Sequence, residues 1–149
     1  MDYWLTVFNE VTWRQFREMP SKICAYSEPR GGRFAKIEMD DRLICYISRK
    51  MVWAGVLRVT GDRFRDQSRI YEGGNFPIRF PVEPLIVRDI DDAVPMSSLE
   101  GRLTFFPPGS TSKSWAPYLQ KSPKKLFAPD AEALISMIEE KGGEQRGHS

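Results

Sequence analysis

Polar and apolar positions fall into short runs whose period changes along the chain. Residues 3–8 (YWLTVF) crowd large apolar side chains together, which predicts a strand. Trp13, Phe16 and Met19 then recur at helical spacing, so a helix with one apolar face follows, capped by Thr12 and ended by Pro20. Residues 27–33 (SEPRGGR) have the composition of an exposed loop. From Arg42 the period becomes two. Leu43, Cys45 and Ile47 alternate with Ile44, Tyr46 and Ser48, predicting a strand buried on at least one face. Residues 48–50 form a turn into a second strand over 52–60 (VWAGVLRVT). Within it Gly55 marks a bulge or the close approach of another backbone or a ligand.

A polar stretch over 61–75 ends in Glu72-Gly73-Gly74-Asn75. Residues 76–82 and 85–88 then predict one long strand broken by Pro81 and Pro84, or two edge strands. A further strand is expected over 103–106 and a Pro/Gly/Ser loop over 107–114. The last element is a helix. Pro129 suits its first turn, Asp130 and Glu132 suit the positive end of its dipole, and Ala131, Leu134, Ile135 and Ile138 form its apolar stripe. Gly142 and Gly143 are expected to stop it, giving one domain over 1–141 and a disordered tail over 142–149. Strands outnumber helices. The expected fold is therefore α+β, a partly closed, twisted β-barrel of about five or six strands with flanking helices.

At 149 residues, 41% hydrophobic and 28% charged, the chain has the make-up of one globular domain rather than a disordered one. The longest apolar runs, such as 51–57, are far too short to span a bilayer. No basic stretch precedes an apolar core near Asp2, so no signal peptide is expected. Cys24 and Cys45 sit among apolar neighbours and read as small buried hydrophobes. These features point to a cytoplasmic protein with no membrane partner. A net charge of +2 does not announce a nucleic-acid binder. Its distribution adds two clusters: Arg58, Arg63, Arg65 and Arg69, interleaved with Asp62 and Asp66, and Lys113, Lys121, Lys124 and Lys125, with no acid nearby. Each is either an ordinary solvated surface or part of a basic track.

Catalytic chemistry is missing. The single histidine, His148, lies at the extreme C-terminus, which removes Ser–His and Cys–His schemes from the folded body. No nucleophile elbow, phosphate loop, zinc-protease motif or paired CxxC occurs. Asp89, Asp91 and Asp92 could hold a divalent metal through oxygens, but nothing completes a nuclease-type site around them. No enzyme, metal or cofactor is expected. Aromatic residues, at 12%, gather beside loops instead. Most belong in the core. Tyr26 and Tyr71 lie in polar sequence where packing gives little reason for a large ring, and are candidates to line a ligand pocket. An aromatic face at a barrel mouth can stack a planar base for ~1–3 kcal/mol.

Several segments together resemble a known family. Tyr3-Trp4-Leu5, the helix led by Thr12-Trp13, residues 41–46 (DRLICY), 53–59 (WAGVLRV), 76–84 (FPIRFPVEP), Ser122-Pro123 and the helix from Asp130 are similar to the EVE domain. The resemblance runs from Tyr3 to about Glu140. EVE is a PUA-like domain related to the YTH and ASCH domains, which implies a barrel with flanking helices. It also implies nucleic-acid binding, with a modified, for example methylated, base of DNA or RNA flipped into an aromatic cage. EVE domains occur as reader modules of restriction systems, so an effector such as a nuclease or translocase is an implied partner. Carried onto this chain, the base site falls among Cys24, Ala25, Tyr26 and Ser27, with Tyr46, Trp53, Tyr71 and Phe76. Phosphate contacts fall to Arg30, Arg33 and Arg79, then Lys124 and Lys125. In the similar YTH pattern one aromatic wall matches Tyr71 and the other falls at Cys24, which is not aromatic. Either Tyr26 substitutes for it, or the cage is half open and its ligand different. The alternative reading is a small-molecule or protein-interaction module that has kept the barrel and lost base recognition.

Overall fold

The computed structural model describes residues 1–29, 34–71 and 74–147, with 141–147 as helical backbone only. In chain order the elements are β1 (Tyr3–Phe8), α1 (Glu10–Glu18), β2 (Ile23–Tyr26), β3 (Arg42–Ile47), β4 (Val52–Val59), β5 (Phe64–Arg65), β6 (Ile78–Val87), β7 (Val94–Pro95), α2 (Ser112–Trp115), β8 (Lys124–Lys125) and α3 (Ala128–Gly147). Six strands form one curled half-barrel sheet in the order β2-β6-β4-β3-β1-β8, while β5 pairs with β6 and β7 with β4. The β1–β3 pair is parallel and every other pairing is antiparallel.

The alternation from Arg42 onward is explained by a sheet covered on both faces. Leu43, Cys45 and Ile47 enter one core with Trp4, Phe8, Trp13 and Phe16. Ile44 and Tyr46 enter a second with Leu5, Trp53, Leu134 and Ile138. Successive side chains point to opposite faces, so a strand buried on both reads as nearly continuous apolar sequence.

α1 lies over the first core. Asn9, not Thr12, is its cap: the Asn9 side chain accepts from Thr12 N at 2.8 Å, and Thr12 Oγ1 accepts from Asn9 N at 3.0 Å. Two of the helix's orphan N–H groups are thus satisfied reciprocally. Gly55 allows the close approach its position suggested. A Cβ there would stand 2.8 Å from both the Ile86 carbonyl oxygen and Trp13 Cη2, so a bare glycine lets α1 settle onto the sheet.

Several elements differ from expectation. Residues 23–26, to which the sequence pattern assigns no element, form an edge strand. β6 runs unbroken through both prolines. The ladder to β4 skips a residue between Leu57↔Pro84 and Val56↔Ile86, so Pro84 sits at a bulge where pairing is interrupted. Leu103 and Phe106 are not in a strand. They face each other across a tight turn closed by Phe106 N donating to Leu103 O at 3.0 Å, and Asp130 accepts from Thr104 N at 2.8 Å. The expected loop after Pro107 contains α2, which buries Trp115. α3 continues past Gly142 and Gly143 to Gly147, because two glycines weaken a helix without forbidding it. Among the described residues no helix is long and apolar enough to cross a membrane.

Candidate functional site

Where β1 ends and α1 begins, the surface opens into a cavity of about 200 Å³. The end of β1 gives it Thr6, Val7 and Phe8, and the start of α1 gives Asn9 and Thr12. Ala25 comes from β2, Ser48 from the exit of β3, and Tyr71 and Phe76 from the loop before β6. The parallel β1–β3 pair explains the location. Both strands exit at the same edge, one into a helix and the other into a hairpin, and the diverging chains leave a crevice.

The lining combines apolar surface with a few fixed polar groups. Asn9 Oδ1 is committed to Thr12 N, so its Nδ2 is turned away from the helix and has no bond among the described residues. The Ser48 backbone N–H bonds Phe8 O at 2.8 Å, leaving the hydroxyl as an adaptable donor or acceptor. Thr6 Oγ1 and the Tyr26 hydroxyl lie 2.9 Å apart, and the Cys24 thiol donates to the same Tyr26 oxygen at 3.4 Å. Burial pushes the Cys24 thiol up to about 12 and the Tyr26 and Tyr71 hydroxyls well above their ordinary range. No carboxylate, amine or guanidinium side chain lines the cavity, so its lining is uncharged at neutral pH.

Tyr71 is packed more tightly than its polar neighbourhood suggests. It is 3% exposed, its hydroxyl donates to Ile23 O at 2.8 Å, and its ring meets Phe8 and Phe76 edge-on at 6.5 and 5.9 Å. Phe76 is only half-buried and offers the more accessible ring of this wall.

Of the residues expected at a base site, the structure brings together Ala25, Tyr71 and Phe76. Pleat parity removes Cys24 and Tyr26, whose side chains turn into the core while Ala25 faces the cavity. Ser27 is exposed and does not line it. Tyr46 and Trp53 lie on the opposite face of the sheet in the second core. Their rings are 5.0 Å apart, and Trp53 Nε1 bonds Met96 Sδ at 3.2 Å. Asn9, Thr6, Thr12 and Ser48 were not singled out. A polar residue between an apolar strand and a helix was the available signal for Asn9, but Thr12 drew the capping assignment.

The expected phosphate contacts are mostly engaged elsewhere. Arg79 is 2% exposed. Its Nε donates to Phe76 O and its Nη1 to Ser68 Oγ, both at 3.0 Å, its Nη2 donates to Ser68 O, and Asp66 lies 3.5 Å away. Arg79 is therefore a buried brace between Asp66, Ser68 and Phe76 rather than a free cation. Lys124 lies 3.7 Å over the Tyr118 ring and Lys125 pairs with Asp2 at 3.6 Å. Arg30 and Arg33 lie outside the described residues. Among the described residues no cluster of acids, cysteines or histidines is placed to hold a metal. Asp89 instead pairs with Arg17 at 3.6 Å.

No family model and no curated protein matches this chain in sequence. Solved structures do match it. The YTH domain-containing protein Mmi1, solved with RNA, is 9% identical, with 98% of this chain and 86% of that one covered and a TM-score of 0.64. The YTH domain of Zygosaccharomyces rouxii MRB1, solved with N6-methyladenosine RNA, is 13% identical over 91% of this chain and 86% of that one, TM-score 0.57. A structural-genomics protein from Agrobacterium tumefaciens is 12% identical over 93% of each chain, TM-score 0.62. The fold is YTH/PUA-like. The likeness is one of backbone, since identities of 9–13% leave the side chains different at about nine positions in ten.

Proposed function

We propose that this chain is an EVE-type reader, a binding domain rather than an enzyme, which takes a modified base flipped out of a nucleic-acid strand. The observation that carries this reading is the cavity at the shared exit of β1 and β3. It is an uncharged crevice with the Phe76 and Tyr71 rings on one wall, and Asn9 Nδ2, Ser48 Oγ and Thr6 Oγ1 supplying polar contacts. At about 200 Å³ it is smaller than the ~300–1,000 Å³ that drug-sized ligands occupy, a size that suits a single ring system. Stacking of a base on Phe76 offsets part of the few kcal/mol that flipping costs. The YTH domains of the same fold include chains solved with RNA and with N6-methyladenosine, which supports a nucleic-acid partner for this one. A cytoplasmic setting and an effector such as a nuclease or translocase complete the proposal.

The second reading is a module that has kept the barrel and lost base recognition. Ala25 favours it, because it gives the cavity a methyl group where a second ring would sandwich the base. Titration with RNA and DNA nonamers carrying one N6-methyladenine, 5-methylcytosine, 5-hydroxymethylcytosine or unmodified base separates the two. The reader reading expects preference for one modification. Equal affinity for all of them at every salt concentration favours the second reading.

A further inference from the structure

Beside the cavity, and sharing Asn9 and Ser48 with it, lies a wider groove of about 700 Å³ lined also by Glu10, Val11, Arg49 and Lys50. Hydrogen bonds fix its position. Ser48 N bonds Phe8 O at 2.8 Å, seating the β3–β4 turn against the end of β1. On the other side of β1, Val7 N donates to Ser122 Oγ at 3.0 Å, and antiparallel β8 follows, pairing Leu5 with Lys124. Lys121 is thereby carried to the same end of the sheet. Arg49 and Lys121 are exposed and have no ion pair among the described residues, whereas Lys50 pairs with Glu10 at 3.4 Å.

We propose that the phosphodiester backbone crosses this end of the sheet, with the phosphates flanking the flipped nucleotide held by Arg49 on one side of the cavity and Lys121 on the other. The proposal rests on the base-reading function above and adds the path of the strand. An uncharged cavity can select a base but gains nothing from phosphate charge. Two cations without an ion pair among the described residues supply that attraction, and the groove's carboxylate, Glu10, is already engaged by Arg14 and Lys50.

The test is fluorescence anisotropy of the full chain with RNA and DNA nonamers, unmodified or carrying one central N6-methyladenine, across about 50–200 mM salt. Arg49→Ala and Lys121→Ala should each reduce the log–log salt slope by about 0.7, the value for one single-strand phosphate contact. Their combination should weaken modified and unmodified strands equally, leaving the preference between them and the binding of free N6-methyladenosine nucleoside unchanged. Arg49 has φ 67°, a left-handed backbone that suits glycine, so Arg49→Gly folds at least as well and must lose the same slope. Lys124→Ala, whose ammonium already rests on Tyr118, keeps the full slope. Slopes unchanged in both variants overturn the path while sparing the cavity. A reduced slope with no preference for the modified base overturns the cavity and spares the path. No binding of any nonamer by the unaltered protein overturns both.

Discussion

Arg79 Nε donates to the Phe76 carbonyl oxygen at 3.0 Å, so the residue that carries the accessible ring of the cavity is tethered to a buried guanidinium three positions along the chain. The same guanidinium holds Ser68 through its hydroxyl and its carbonyl. The shape of this wall therefore depends on a cation buried behind it. Arg79→Ala should destabilise the fold by about 2–3 kcal/mol, since it strips charge-assisted partners from half-buried groups. Arg79→Lys should rescue little, because one ammonium cannot span the fork. Thermal unfolding of both variants checks this. A loss below about 0.5 kcal/mol would mean the tether does not hold the loop.

Phe76 and Tyr71 share a wall but should respond differently. Phe76 is half-buried, so Phe76→Ala should weaken binding to the preferred modified oligonucleotide by ~1–3 kcal/mol and change unfolding much less. Tyr71 is enclosed by Phe8 and Phe76, so Tyr71→Ala should cost about 3–5 kcal/mol of stability. Tyr71→Phe forfeits only the bond to Ile23 O, about 1 kcal/mol. Paired unfolding and binding curves decide it, and a stable Tyr71→Ala protein with lost binding would reverse the two roles.

Asn9 has two functions that one substitution can separate. Serine caps a helix about as well as asparagine but has no amide N–H to offer. Asn9→Ser should therefore leave the melting temperature within a degree or two and weaken ligand binding, whereas Asn9→Ala loses the cap as well, at a cost of about 1 kcal/mol. Retention of full affinity in Asn9→Ser would remove the amide from the site.

Alkaline pH should unfold the protein earlier than neutral pH. Burial raises the Cys24 thiol from its usual 9.0 to about 12, and raises the Tyr26 and Tyr71 hydroxyls as well. Above pH ~9 the unfolded chain sheds the thiol proton while the folded chain keeps it, so the folded state binds more protons and stability falls as pH rises. The contribution is complete below pH ~9, and the tyrosines extend the loss from pH ~10 upward. Urea midpoints that stay level from pH 7 to beyond pH ~10 would contradict this.

Much of this architecture is legible in local pattern. The strands over 3–8, 42–47 and 52–59 show in their apolar periodicity, and Gly55 announces the contact that seats α1. The site is less legible because its membership depends on parity and pairing. Tyr46 and Trp53 are aromatics near turns, yet the register that puts them side by side also turns both into the far core. Ala25 rather than Cys24 faces the cavity for the same reason, since a shift of one residue exchanges the faces of a strand. Leu103 and Phe106 look like strand residues but close a turn, because four apolar-rich positions have too little length to declare a period. The buried state of Arg79 is a tertiary fact. Nothing in the sequence around it distinguishes a braced guanidinium from an exposed one.

Gly55 lies in the middle of β4, outside the cavity lining, yet the absence of its side chain sets how far α1 stands from the sheet. The start of that helix carries Asn9 and Thr12, so a change in spacing at Gly55 would be expected to reach the mouth of the cavity. Gly55→Ala would place a methyl group against the Ile86 carbonyl oxygen and the Trp13 ring, and the helix would have to tilt or slide to make room. A binding assay would then report a defect at a position that no ligand could touch. In this chain the missing bulk at one strand position would act as a shim, tuning the aperture without altering any group that lines the cavity.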